Sequence, residues 1–457
     1  MSSISRSPLG IDSFDAIIEG GFPRGSLVLV AGHPGAGKTI FAATYLFNGA
    51  VKYGEKGLYI SFVEDKKSFT MYMKKLGLDF SELEEKGLFY FMSIPHADIE
   101  TNMESVVARI MKVIKDNDIK RVVLDSITAI LQTLDSPSTI RAFLRNTLIY
   151  GTRVLDDVTT LVIADLPYGI EVIGYGVEEF VVDGVLVLKA EYTKGTYFRW
   201  IEIRKMRGTA VRSTVIPYTI GEKGFAPIVY SAKIPRRQER TKKGLKPLTR
   251  NLSKIFSLIP PGSITLITGS HGSGKSVLAL EYALNAVLQG EKALYISYNE
   301  YIDSLNEKIN YLLKRVCEPG REPNLDLLTM KYIDPFTSEI SKTMKKIQEL
   351  IMDLDPGLIV FDGVEVYSGL IPHHIYRFIN RDLSAYIKDT NKILVQTLLA
   401  NLESCCATEY QVFQELGNIS DTIINLKHDP KEPSNRILTV IKSRSGYTKQ
   451  LRERLTL

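Results

Sequence analysis

The chain has 457 residues, enough for two or three domains of ordinary size, and 44% hydrophobic with 24% charged residues is the composition of a folded globular protein. A formal net charge of +5 excludes a strongly basic nucleic-acid wrapper. Three cysteines, Cys317, Cys405 and Cys406, form neither a disulfide framework nor a metal-ligand spacing, so reduced thiols in a cytoplasmic protein are expected.

The N-terminal segment Met1–Asp15 is polar and lacks the apolar centre of a signal peptide. No apolar run approaches the ~20 residues of a membrane helix, so no membrane association is expected. The first strong pattern is Gly25-Ser-Leu-Val-Leu-Val-Ala-Gly-His-Pro-Gly-Ala-Gly-Lys-Thr39. A short apolar run, a glycine-rich loop and an amphipathic stretch read as strand, phosphate loop and helix. Further strands are expected at Lys56–Phe62, Lys120–Asp125 and Thr159–Ala164, with a helical stretch at Val106–Ile114. Their near-continuous apolar character suits a parallel sheet buried on both faces. Gly184–Ala190 and Tyr197–Lys205 read as later, partly antiparallel strands. Residues 234–247 carry many charges and two prolines and read as an exposed linker.

The second half repeats the first. Gly262-Ser-Ile-Thr-Leu-Ile-Thr-Gly-Ser-His-Gly-Ser-Gly-Lys-Ser276 is another strand and phosphate loop. Lys38 to Asp125 and Lys275 to Asp362 are both 87 residues; Asp125 to Lys205 and Asp362 to Lys442 are both 80. Asp183 and Asp421 follow the acidic strands by 58 and 59 residues. One such match is attainable by chance, but a ladder of them is a tandem duplication. The expected architecture is α/β: a first RecA-like P-loop domain over 1–233, the linker 234–247, and a second domain over 248–457, each a mostly parallel sheet flanked by helices.

Both loops fit the Walker A pattern. Gly32, Gly35, Ala36 and Gly37 let backbone N–H groups converge on phosphate oxygens, Lys38 reaches the outer phosphates, and Thr39 ligates Mg²⁺. Gly269, Gly272, Ser273, Gly274, Lys275 and Ser276 take the same parts in the second copy. Asp125 and Asp362, each ending an apolar strand, complete the metal site. An accidental glycine-rich turn is the competing reading, and the strand, helix and duplication weigh against it.

The segments Leu9-Gly-Ile-Asp-Ser-Phe-Asp-Ala-Ile-Ile-Glu-Gly-Gly-Phe-Pro-Arg-Gly25, Asp125-Ser-Ile-Thr-Ala129, Tyr175-Gly-Val-Glu-Glu-Phe-Val-Val-Asp183 and Lys205-Met-Arg-Gly-Thr209 resemble the KaiC branch of the RecA superfamily. Ser420-Asp-Thr-Ile-Ile424 and Lys442-Ser-Arg-Ser-Gly446 are similar to it in the second half. The resemblance implies ATP as the nucleotide, a homo-hexameric ring or stacked double ring with ATP between subunits, and a protein partner whose identity the residues do not reveal. It also implies that Lys205 and Arg207, and Lys442 and Arg444, reach the phosphate bound by the neighbouring subunit; alternation along a strand puts each pair on one face. Without the resemblance, solvated basic strand ends would be the simpler reading.

Two departures temper the chemistry the resemblance implies. The family shows two adjacent glutamates after the second strand, the first serving as base for water. Here Val63 and Asn299 hold the first place, leaving Glu64 and Glu300 as catalytic candidates. Valine takes no proton and asparagine is a poor base, so either Glu64 and Glu300 orient water alone or hydrolysis is slow; a one-residue slip in the alignment would restore the base. The clock protein's phosphosites fall near Gly417 and Asn418, which have no hydroxyl, and the chain ends at Leu457 without the family's long C-terminal tail. A KaiC-like ATPase is therefore expected, not an oscillator or serine/threonine autokinase.

A DNA-acting motor is the remaining alternative. The expected pore segments, 154–188 and 393–426, contain no Lys or Arg, and the first carries Asp156, Asp157, Glu171, Glu178 and Glu179. Acidic loops repel a polyanion, so DNA is disfavoured as a partner. Arg141, Arg145, Arg153, Arg377 and Arg381 keep it open, with subunit contacts or solvated helix faces as their expected roles.

Overall fold

The computed structural model describes residues 4–128, 157–173, 178–231, 244–316, 322–336, 339–400, 407–432, 435–444, 446–447 and 452–456. The three cysteines, Arg141, Arg145, Arg153, Asp156, Tyr175–Val177 and linker residues 234–243 lie outside them. The chain divides into two compact units, 1–192 with 197–232, and 233–457 with 193–196.

The main sheet of the first unit has, among the described residues, nine strands: β1 Leu27–Gly32, β2 Gly57–Ser61, β3 Phe89–Ser93, β4 Arg121–Asp125, β5 Thr159–Asp165, β6 Gly184–Thr193, β7 Thr196–Met206, β8 Val215–Gly221 and β9 Gly224–Pro227. Their order across the sheet is β9-β8-β7-β6-β1-β5-β4-β2-β3. The second unit holds β10 Ile264–Gly269, β11 Ala293–Ser297, β12 Leu328–Tyr332, β13 Leu358–Asp362, β14 Ile393–Leu399, β15 Thr422–His428, β16 Asn435–Ser443 and β17 Arg452–Thr456. Their order, β12-β11-β13-β14-β10-β15-β16-β17, repeats that of the first sheet from β3 to β7. The duplication in sequence is thus a duplication of topology, and the chain has the expected α/β class of two RecA-like sheets flanked by helices.

Hydrophobic alternation explains why each sheet is covered twice. In the first unit, Val28, Val30, Tyr59, Val123, Leu161 and Ile163 pack with Phe41, Ala42, Tyr45 and Leu46 of the helix Lys38–Tyr53. Their neighbours Leu27, Leu29, Ala31, Leu58, Ile60, Val122 and Leu124 pack on the other face with Val106 and Ile114 of the helix His96–Asn117. Strand residues between two helical layers are mostly apolar, which is why these strands read as near-continuous runs.

The strand β1 is parallel to β5 and β6, and β10 is parallel to β14 and β15. The segment Gly184–Ala190 therefore belongs to the parallel part of the sheet. Antiparallel pairing is seen at β7 with β8, and at β15 with β16. All parallel strands point their carboxyl ends to one edge, where open α/β sheets bind ligands.

Candidate nucleotide sites

The first phosphate loop follows β1. Gly35 and Gly37 have φ of 74° and 90°, the left-handed region that glycine enters without strain. Gly37 then starts the helix Lys38–Tyr53, whose first N–H groups and positive dipole end face the loop. Lys38 is nearly buried; its Nζ donates to Gly32 O at 2.9 Å and His33 O at 3.2 Å and pairs with Asp165 Oδ1 at 3.0 Å. Thr39 Oγ1 donates to Asp125 Oδ2 at 2.7 Å, and the Tyr59 hydroxyl donates to the same oxygen.

Burial pushes the Asp125 carboxyl up, against the lowering effect of the Tyr59 and Thr39 hydroxyls and of Lys38. A buried carboxylate beside a threonine hydroxyl and a phosphate loop is a fitting pair for a hard cation, whose charge would reverse that upward push. An open cleft of about 710 Å³ joins Gly35, Gly37, Lys38, Thr39, Glu64 and Asp125. Glu64 is oriented through its N–H, which donates to Ser61 Oγ at 2.8 Å; burial and then Asp125 raise its carboxyl. Val63 is 77% exposed and offers the cleft no polar atom. Ala36 is buried, with its carbonyl taken by the Tyr218 hydroxyl.

The second site shares the frame and changes the trimming. Gly272 and Gly274 have φ of 69° and 91°, and Lys275 Nζ donates to Gly269 O at 2.9 Å and Ser270 O at 2.8 Å. Ser273 is fully buried in the loop, and Ser276 is the second residue of the helix Lys275–Val287. Asp362 accepts from the Tyr295 hydroxyl at 2.7 Å and from the Thr397 hydroxyl. Glu300 N–H donates to Ser297 Oγ at 2.9 Å, as Glu64 N–H does to Ser61 Oγ, but both carboxylate oxygens of Glu300 accept from Lys308 Nζ. Asn299 Nδ2 donates instead to Glu365 Oε1 at 3.3 Å.

The four basic candidates lie at the other end of the sheet. Asp183 ties the start of β6 to the start of β1: its N–H donates to Leu27 O, and its Oδ2 accepts from Leu27 N–H at 3.1 Å. Arg207 N–H donates to Asp183 O at 2.8 Å and its side chain reaches Asp183 Oδ1 at 3.3 Å, while Lys205 Nζ donates to Glu179 O and Val182 O at 2.9 and 2.7 Å. Asp421 repeats both ties to Ile264, and Arg444 N–H donates to Asp421 O at 2.8 Å. Lys442 Nζ donates to Gly417 O at 2.5 Å and Arg444 Nη2 to Asn418 O at 3.2 Å. Burial lowers both lysines' pKa, and the neighbouring arginine adds to the effect. From Leu27 to Gly32 a strand spans on the order of 16 Å, so none of these cations reaches its own phosphate loop.

Sequence reading missed Tyr59, Tyr295, Asp165 and Glu365. The tyrosines had a signal: both halves contain Leu-Tyr-Ile-Ser, at Leu58–Ser61 and Leu294–Ser297. Asp165 and Glu365 had none, because they stand at non-equivalent positions of the repeat.

The profile of the family described as "ATPase: KaiC" matches residues 7–231 and 248–455. The chain belongs to the KaiC ATPase family. It is 27% identical to the circadian clock protein KaiC3 of Synechocystis sp., over 98% of this chain and 90% of that protein. It is 28% identical to KaiC2 of the same organism, over 99% and 80% of the two chains, and 28% identical to the circadian clock oscillator protein KaiC of Parathermosynechococcus lividus, over 100% and 84%. Membership of this ATPase family implies that the chain binds a nucleotide. Among the described residues, no helix is long and apolar enough to cross a membrane.

Proposed function

We propose that this KaiC-family chain binds ATP with Mg²⁺ at both phosphate loops, hydrolyses it slowly, and assembles as a homo-hexameric ring in which nucleotide state at subunit interfaces controls partner binding. Lys38 and Lys275 hold the outer phosphates; Thr39 with Asp125, and Ser276 with Asp362, hold the metal. In the first site Glu64 orients water. One observation carries the ring. The pairs Lys205–Arg207 and Lys442–Arg444 sit at the amino end of the phosphate-loop strand in both units, fixed there by the same aspartate ties. Cations built so carefully on the wrong side of their own site fit the phosphate of a neighbouring subunit.

Light scattering with and without ATP tests assembly, and the expected result is a hexamer that ATP forms or stabilises. A monomer at every nucleotide concentration defeats the ring. Phosphate release by the wild type, Lys38→Ala and Lys275→Ala separates the two sites, and each substitution is expected to silence one of them. No release from the wild type would leave a nucleotide-binding scaffold.

A further inference from the structure

The two sites keep a carboxylate beside the lysine in different ways. In the first, β5 ends at Asp165, in register with Gly32 at the root of the phosphate loop, and pairs with Lys38 at 3.0 Å. In the second, β14 ends at Leu399, in register with Gly269 at the equivalent root, and an apolar side chain stands where the first site has its acid. Three residues beyond the acidic strands the exchange runs the other way: Thr128 follows Asp125, and Glu365 follows Asp362.

The backbone contact between the two exchanged positions is kept. Asp165 N–H donates to Thr128 Oγ1 at 2.8 Å, and Leu399 N–H donates to Glu365 Oε2 at 3.0 Å. The carboxylate is now attached after the neighbouring strand, β13, and reaches the backbone at the end of β14 at the carboxyl edge.

The environments of the two glutamates near this loop also differ. Glu300 is committed to the Lys308 ammonium through both oxygens. Glu365 meets a backbone N–H and the neutral Asn299 amide, donors that fix a carboxylate's direction without neutralising it.

We propose that Glu365 is the water-activating carboxylate of the second site, with Asn299 as its positioning residue; this rests on the reading that the site holds ATP. Glu365 takes a proton from a water whose oxygen bonds to the terminal phosphorus. The bond from that phosphorus to its bridging oxygen breaks, and the electron pair leaves on the diphosphate. Glu300 serves instead to anchor the helix Ile302–Val316 through Lys308.

The test uses full-length chains carrying Lys38→Ala, so that phosphate release reports the second site, with affinity for a fluorescent ATP analogue measured in parallel. Adding Glu365→Gln is expected to lower release by about 100-fold or more while affinity stays within about threefold. Adding Asn299→Glu to that variant is expected to recover about tenfold, because residue 299 already touches the Glu365 carboxylate. Release left within about threefold by Glu365→Gln overturns the assignment. So does a fall in release matched by an equal fall in affinity, which is the signature of a structural residue. A Lys38→Ala chain that binds the analogue and releases no phosphate overturns the proposal and leaves nucleotide binding standing. One that binds no analogue defeats the reading of the second site itself, and the proposal with it.

Discussion

Arg121 gathers several interactions inside the first core. It is fully buried, donates from Nε to Glu55 Oε2 at 2.6 Å and from Nη1 to Pro8 O and Tyr45 O at 2.7 and 2.9 Å, and lies 4.4 Å from the centre of the Tyr45 ring. Burial pushes the Glu55 carboxyl up, but Arg121 and Arg24 outweigh it and hold it below its ordinary value. That contribution is present above the unfolded carboxylate pKa and is lost as pH falls through the lower folded one. Arg121→Met should cost about 3 kcal/mol, the low end for breaking a buried pair because Arg24 remains, seen as a drop in the urea midpoint of the first unit. A drop worth under about 1 kcal/mol would mean that the pair is not the support it appears by geometry. Asp15 has the opposite sign. Burial raises its carboxyl from 3.8 to about 6, although Leu9, Gly10 and Ile11 N–H groups donate to it. Stability linked to its proton is full below 3.8 and is lost as pH rises through 6. Carboxyl carbon shifts followed by NMR should place its titration near pH 6; a midpoint in the ordinary aspartate range would contradict the burial argument.

At the scale of elements, the phosphate loops depend on the absence of side chains. A Cβ on Gly32 would lie 2.4 Å from Leu188 O, and one on Gly269 the same distance from Leu426 O. Neither carbonyl can yield without parting β1 from β6 or β10 from β15. Gly32→Ala should therefore cost about 1–3 kcal/mol and abolish nucleotide binding at the first site while sparing the second, as calorimetric titration of a Lys275→Ala background can show. Unchanged affinity there would mean that the strands accommodate the methyl. Strands were the most legible elements. Lys56–Phe62 became Gly57–Ser61 and Lys120–Asp125 became Arg121–Asp125, because the apolar middle of a strand between two helical layers marks it more clearly than its ends. The helical stretch Val106–Ile114 lies inside the longer helix His96–Asn117.

For the whole molecule, the decisive experiment is complementation. In a Lys275→Ala background, Lys38→Ala chains lack a first-site lysine and Arg207→Ala chains lack a neighbour's arginine. Each alone should release phosphate ~10³-fold or more slowly than the parent. Mixed and reassembled with ATP, they should regain part of the activity at interfaces that pair the intact loop with the intact arginine. No recovery on mixing would return Arg207 to the role of a solvated strand end.

The sequence by itself determined the duplication, the class of fold, the two phosphate loops and their acidic strands. These depend on short-range chemistry: glycine where the backbone must turn sharply, apolar alternation where a sheet is covered on both faces, and a lysine and hydroxyl at fixed steps along one loop. Only the tertiary structure decided which carboxylates surround each lysine. Asp165 ends β5 and is set beside Gly32 by the register of parallel pairing, whereas Glu365 opens the helix Glu365–Ser368 after β13 and reaches the backbone of Leu399, which is in register with Gly269. Likewise Glu64 and Glu300 are matched in the repeat, yet only the fold shows that Lys308, two helical turns beyond Glu300, holds that carboxylate in an ion pair.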